Sequence, residues 1–145
     1  MRSRQTAFVV VTTLEPQAFA EAEFFCDKLR EYSMPLRAVV VNRVLDESLL
    51  DPDAVAAATA MVDDTGIAAW MRHVTAATVP ADLPRRVGEA FLALNSLARH
   101  QAAQVDRLSR LGNVPVARLP LAEHDVHDID GLVQMAAHLR GRSAG

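Results

Sequence analysis

Leu36-Arg37-Ala38-Val39-Val40-Val41-Asn42-Arg43-Val44 is the stretch on which the reading of the whole chain depends. Four small or β-branched apolar residues, Ala38 to Val41, run unbroken into the polar pair Asn42-Arg43. A continuous apolar run without polar alternation predicts a strand covered on both faces, as in a parallel sheet. Burying each valine is worth roughly 1.5–3 kcal/mol, so this strand is expected to anchor the core. Open parallel sheets bind ligands at the C-terminal ends of their strands, and this strand delivers Asn42 to that edge.

Upstream, Ala7 to Thr13 (Ala-Phe-Val-Val-Val-Thr-Thr) is a second apolar, β-branched run and predicts another buried strand. It ends in Leu14-Glu15-Pro16, and proline in the first helical turn is a start signal because its missing N–H is not needed there. From Pro16 to Tyr32 the residues Phe19, Ala22, Phe25 with Cys26, Leu29 and Tyr32 recur at helical spacing, with Glu21, Glu23, Asp27, Lys28 and Arg30 between them. That pattern predicts an amphipathic helix, stopped at Ser33-Met34-Pro35. Strand, helix and strand make a βαβ unit with a parallel, right-handed crossover.

Downstream, Asp51-Pro52 reads as an N-cap followed by proline at the first helical position, and the alanine-rich segment Asp53 to Val62 as a helix. Asp63 to Gly66 interrupts it, Ile67 to Val74 is expected to form a short helical piece, and Thr78 to Pro84 a loop. A long helix is expected from about Arg85 to Leu111. Its stripe, Val87, Phe91, Leu94, Ala98, Gln101, Val105 and Leu108, alternates spacings of four and three; packing within the domain is preferred to a coiled coil. Gly112-Asn113 reads as its stop. Val114 to Leu119 is a third strand candidate with Pro115 near its start, followed by a loop from Pro120 to Asp125. Asp130 is expected to cap a final helix carrying Leu132, Val133, Met135, Ala136 and Leu139. The expected fold is α/β: a three-stranded parallel sheet flanked by helices, one of them long and amphipathic. Residues 1–145 read as a single domain with 45–84 a variable helical segment in it. Three strands leave sheet edges and one face poorly covered, so a partner segment or second subunit is expected.

Composition narrows the function. The chain has 145 residues, half of them hydrophobic, and a net charge of −3, which is ordinary globular composition. Arg85-Arg86, Arg107 and Arg110 are interspersed with acids and form no basic stripe, so nucleic-acid binding is not expected. Cys26 is the only cysteine, which leaves no intramolecular disulfide and no multi-thiolate metal site. Arg2 and Arg4 precede an apolar run too short for a signal peptide, and no stretch approaches the roughly 20 apolar residues of a membrane span. A cytoplasmic protein is expected.

Within His124-Asp125-Val126-His127-Asp128 the side chains are of metal-ligand type, but zinc wants four placed ligands and no distant partner suggests itself. Loop polarity is the preferred reading. Met34, Met61, Met71 and Met135 read as core filler rather than a groove for client helices. No Ser-His-Asp arrangement can be argued.

The order of these residues resembles the C-terminal part of the ArsA-type anion-transporting ATPases, which include the arsenite-pump ATPase and the eukaryotic ATPase that targets tail-anchored proteins. The resemblance rests on Phe8 to Glu15 followed by Glu21 and Glu23, on Val39-Val40-Val41-Asn42-Arg43, and on Val116 to Leu121 with Gly131-Leu132 beyond. Arg99 and Gln101 on the long helix fit more loosely. The resemblance implies a partial, deviant P-loop NTPase fold in which this segment supplies the adenine end of an ATP site. Asn42 would read the base, since a carboxamide sets a donor beside an acceptor to match the adenine N6 amino group and N7. Arg43 stands beside it, Pro120 and Leu121 would flank the ring, and Glu15 matches an acidic position near the nucleotide and the subunit boundary. On residue chemistry alone, an Asn after a strand is a turn residue, and a carboxylate at a helix N-terminus stabilises the dipole by roughly 0.3–1 kcal/mol. For Glu15 the dipole reading is preferred.

Departures from the family pattern limit the activity. The loop Gly-x-x-x-x-Gly-Lys-[Ser/Thr] is absent, and Lys28 is the only lysine. Without that loop nothing cradles the β- and γ-phosphates or holds magnesium. The catalytic acids of the family's N-terminal part and the paired zinc cysteines of its eukaryotic branch are missing too. The chain is expected to bind adenine as part of a larger ATPase, as a fragment or truncated relative. ATP would be the ligand, and an N-terminal half or second subunit, in a homo- or heterodimer, would supply the magnesium site. Alone it is not expected to hydrolyse ATP. The alternative is a non-catalytic interaction or dimerisation module whose nucleotide site is vestigial.

Overall fold

The computed structural model describes residues 6–63 and 80–121, with Val133 and Ala136 as single helical positions. In chain order the elements are β1 (Phe8–Thr12), α1 (Pro16–Glu31), β2 (Leu36–Val44), a 3-10 turn (Glu47–Leu50), α2 (Pro52–Asp63), α3 (Leu83–Gly112) and β3 (Val116–Pro120). The three strands form one parallel sheet in the order β1-β2-β3, so the 36–44 stretch is its central strand. Among the described residues no helix is long and apolar enough to cross a membrane. The expected helical piece Ile67–Val74, the His124–Asp128 cluster, Met71 and the Asp130 cap with Leu132, Met135 and Leu139 lie outside the described residues.

By its contacts the chain divides into two compact units, residues 1–45 with 101–145 and residues 46–100. The first holds the sheet, α1 and the last part of α3. Val10 lies level with Val39, and Thr12 with Val41, so all four face one side. There α1 contributes Phe19, Ala22 and Cys26, and α3 contributes Val105 and Leu108, to one core. Burial, with Asp27 adding to it, pushes the Cys26 thiol above its ordinary pKa and keeps it protonated.

The expectation of a strand covered on both faces is corrected here. Val39 and Val41 are wholly buried, but Ala38 and Val40 between them are only half-buried. Their β1 neighbours on that second face, Val9 and Val11, are 53% and 67% exposed. Strand parity sends alternate residues to opposite faces, and α1 and α3 cover one of them. The other remains open among the described residues.

Helix ends follow local chemistry. Pro16 opens α1, and at its end the Ser33 N–H reaches the Arg30 carbonyl with Ser33 in the left-handed region, φ 53°. At the end of α3 the left-handed residue is Asn113, φ 46°, while Gly112 still belongs to the helix. Arg30 donates from Nη1 to the Leu111 carbonyl at 2.9 Å, satisfying one of the last orphan carbonyls of α3. Beside it, Glu23 Oε1 lies 2.5 Å from Arg107 Nε without the N–H aimed along the line, which makes an ion pair rather than a hydrogen bond. β3 starts two residues later than expected because Pro115 has no N–H to give; its carbonyl accepts from Val39 instead.

In the second unit Asp51 caps α2, its carboxylate accepting the Asp53 N–H at 3.0 Å as the sequence predicts. Asn95 is buried on α3 and donates from Nδ2 to the Leu49 carbonyl at 2.6 Å, which holds the 3-10 turn. Gly88 of α3 sits so near α2 that a Cβ there would be 2.5 Å from the Ala58 carbonyl oxygen.

Candidate functional site

The C-terminal edge of the sheet is irregular at one place. Between β2 and β3 the register steps from Val41–Arg118 to Val44–Pro120, three residues on β2 against two on β3. One residue is therefore extra, and it falls at Asn42-Arg43. Arg43 takes up the difference in the left-handed region, φ 61°. For a residue with a Cβ that conformation costs roughly 1–2 kcal/mol. Bulges and such strained residues re-aim side chains and gather near functional sites.

Neighbours hold the strained segment on its far side. The Val44 carbonyl accepts the Leu121 N–H at 2.9 Å, and the Leu45 N–H donates to Gln101 Oε1 on α3, also at 2.9 Å. The Asn42 carboxamide is half-buried, and its Oδ1 accepts the Arg43 N–H at 2.9 Å. Its Nδ2 hydrogens make no hydrogen bond among the described residues, and Oδ1 keeps a second lone pair.

Asn42 also lines a concavity of about 360 Å³. The other walls are Val10 to Thr13 at the end of β1 and Ala18, Glu21, Ala22 and Phe25 of α1. Thr12 closes the turn between them, its buried hydroxyl shared between the Thr13 carbonyl at 2.9 Å and the Ala18 carbonyl at 3.1 Å. Glu21 accepts from Gln17 Nε2 at 3.2 Å, and Phe25 is exposed, edge-on to Phe24.

Asn42, Arg43, Pro120 and Leu121 come together at the C-terminal ends of β2 and β3, through the Val44–Pro120 pairing and the Leu121–Val44 hydrogen bond. Arg43 and Leu121 are exposed, and Pro120 is half-buried. Glu15 lies past the end of the neighbouring strand, exposed at the N-cap of α1, and its side chain makes no cap hydrogen bond. That placement suits a carboxylate acting on the helix dipole. Pro120, Leu121 and Glu15 do not line the concavity that Asn42 enters. Thr12, Thr13, Ala18 and Phe25 were not singled out by sequence as site residues, since nothing in their chemistry marks them. Gln101 reads from sequence as a position in an apolar stripe. The available signals were its being polar there and its looser fit, with Arg99, to the family pattern.

Strain at Arg43 is testable. Arg43→Gly is expected to raise unfolding stability by about 0.5–1 kcal/mol, the relieved strain less the extra backbone entropy of glycine. Arg43→Val, β-branched in the same conformation, is expected to lower it. Denaturant midpoints measure both, and a loss of stability in Arg43→Gly would contradict the strain.

Residues 1–64 match the family described as anion-transporting ATPase, ArsA_ATPase. No curated protein matches the chain.

Proposed function

Since residues 1–64 are a partial region of the ArsA-type anion-transporting ATPase family, we propose that the sheet unit contributes the adenine end of an ATP site in a cytoplasmic ATPase. The bulge that sets Asn42 at the C-terminal edge of the central strand is the observation that carries this reading. With Oδ1 already accepting from Arg43, its remaining lone pair can accept from the adenine N6 amino group while Nδ2 donates to N7. Guanine presents an acceptor, O6, where adenine presents that donor, so the same carboxamide discriminates against it. On this reading Arg43 borders the base, and Pro120 and Leu121, beside Asn42 at the strand ends, offer backbone and apolar atoms to the ring. Glu15, exposed at the N-cap of α1, acts on the helix dipole.

The phosphates and magnesium belong to residues outside these 145, on an N-terminal half or a second subunit of a homo- or heterodimer. Magnesium-bound phosphate chemistry is supplied there, and this chain binds and orients the base. Alone it does not hydrolyse ATP. The test is ATP and GTP titration of the chain mixed with an N-terminal ATPase half carrying the Gly-rich loop. Asn42→Ala is expected to weaken ATP by about 10- to 100-fold, as for the loss of a bidentate base contact, and GTP little.

A second reading, a non-catalytic interaction or dimerisation module, draws on the exposure of Val9, Val11, Phe24 and Phe25. It takes over if no mixture binds nucleotide and the chain self-associates.

A further inference from the structure

We propose that Gln101 is a positioning residue for the Asn42 site: by accepting the Leu45 N–H it holds the left-handed Arg43 bulge that aims the carboxamide. The inference rests on the adenine reading above for its functional meaning, and on the geometry alone for its structural part.

A strained residue relaxes to ordinary extended backbone unless both its flanks are held. On the near flank, Val41 is locked level with Arg118 of β3. On the far flank, the Val44 carbonyl takes the Leu121 N–H, and the next residue, Leu45, gives its N–H to Gln101. The β3 contacts are backbone pairing of the kind any two strands make. Besides the local bond from the Arg43 N–H to Asn42 Oδ1, Gln101 adds a side-chain acceptor from a residue 56 positions away.

Its place on α3 is telling. Val105 and Leu108, one and two turns on along the same stripe, are buried in the core, and an apolar residue at 101 would extend that core. Gln101 instead spends the position on a hydrogen-bond acceptor. Leu45 and Gln101 are also the residues between which the 46–100 unit is inserted in the chain. The hydrogen bond therefore closes the root of that insertion three residues after Asn42.

The test uses the isotopically labelled 145-residue chain. In the unmodified chain the Leu45 amide is expected to be protected from hydrogen exchange, and Arg43 to show the strong intraresidue amide–Hα contact of a positive φ. Gln101→Leu, similar in size and helix preference but without an acceptor, is expected to speed Leu45 exchange by about tenfold or more and to weaken the Arg43 signature. Gln101→Glu, which keeps an acceptor, restores both. In the mixture with the N-terminal half, Gln101→Leu weakens ATP by about tenfold and Gln101→Glu recovers it.

An Arg43 signature unchanged in Gln101→Leu overturns the proposal. So does an unprotected Leu45 amide in the unmodified chain, a measurement that needs no variant to fold. If Asn42→Ala leaves ATP binding untouched, the adenine reading falls, while the Arg43 and Leu45 signals still judge the role of Gln101.

Discussion

Leu108→Ala is expected to destabilise the sheet unit by about 3–5 kcal/mol, whereas Leu94→Ala on the same helix costs about 1 kcal/mol or less. Leu108 has no exposed surface and packs in the core with Val39, Val41 and Val105. Its truncation removes apolar burial and leaves a cavity that a parallel sheet and two helices cannot collapse to fill. Leu94 is 45% exposed, so nearly half of its surface already meets water. Urea unfolding followed by amide exchange in β2 reads the first loss directly. Equal losses at the two positions would mean that the stripe of α3 is buried evenly and that the core is misplaced.

Gly88→Leu is expected to cost the 46–100 unit about 3 kcal/mol, the upper end for overpacking. Helix preference argues the other way, since replacing glycine by a good helix former in a helix interior gains roughly 0.8–1 kcal/mol. The close approach outweighs it. A Cβ at position 88 would lie 2.5 Å from the Ala58 carbonyl oxygen and 2.9 Å from Val62 Cγ2. The first of these is backbone, which cannot rotate away, so α2 and α3 would have to separate along their contact. Faster amide exchange across α2 is the expected signature. A variant that melts higher than the parent would show that the helices are not packed through Gly88.

Much of this architecture was legible because its signals are local. Pro35 marks the start of the central strand, and the apolar run lies within it as predicted. The strand then continues through the polar pair Asn42-Arg43, which reads from sequence as its end, to Val44. Pro16 and Ser33-Met34-Pro35 bracket α1 in the same way, and Asp51 caps α2 through a bond to its own neighbour. What failed was the covering of both sheet faces. Valine is apolar whichever way it points, so Ala38 to Val41 could not reveal that Val39 and Val41 are wholly buried while Ala38 and Val40 are half-buried. The predicted stripe of α3 holds at Ala98, Val105 and Leu108, which are buried. In the first half of the helix Gly88 and Asn95 are buried while Val87 and Leu94 are exposed, a shift hidden from sequence because a glycine and an asparagine carry no apolar signal.

For the site the division is sharper. Chain order alone put Asn42 and Pro120 at the C-terminal ends of their strands, because strand direction in a βαβ unit follows from connectivity. The extra residue at Asn42-Arg43 exists only relative to β3, so it has no sequence signature. Gln101 likewise could be assigned its role only once Leu45 was beside it.

The elements, their order, the parallel sheet and the edge to which Asn42 is delivered all follow from period, proline and capping signals within a few residues of one another. Which face is sealed, which leucine of α3 carries the core, and how a strained arginine is held beside Asn42 come from contacts between residues remote in the chain. Packing and register are properties of pairs of elements, and neither is written in either element by itself.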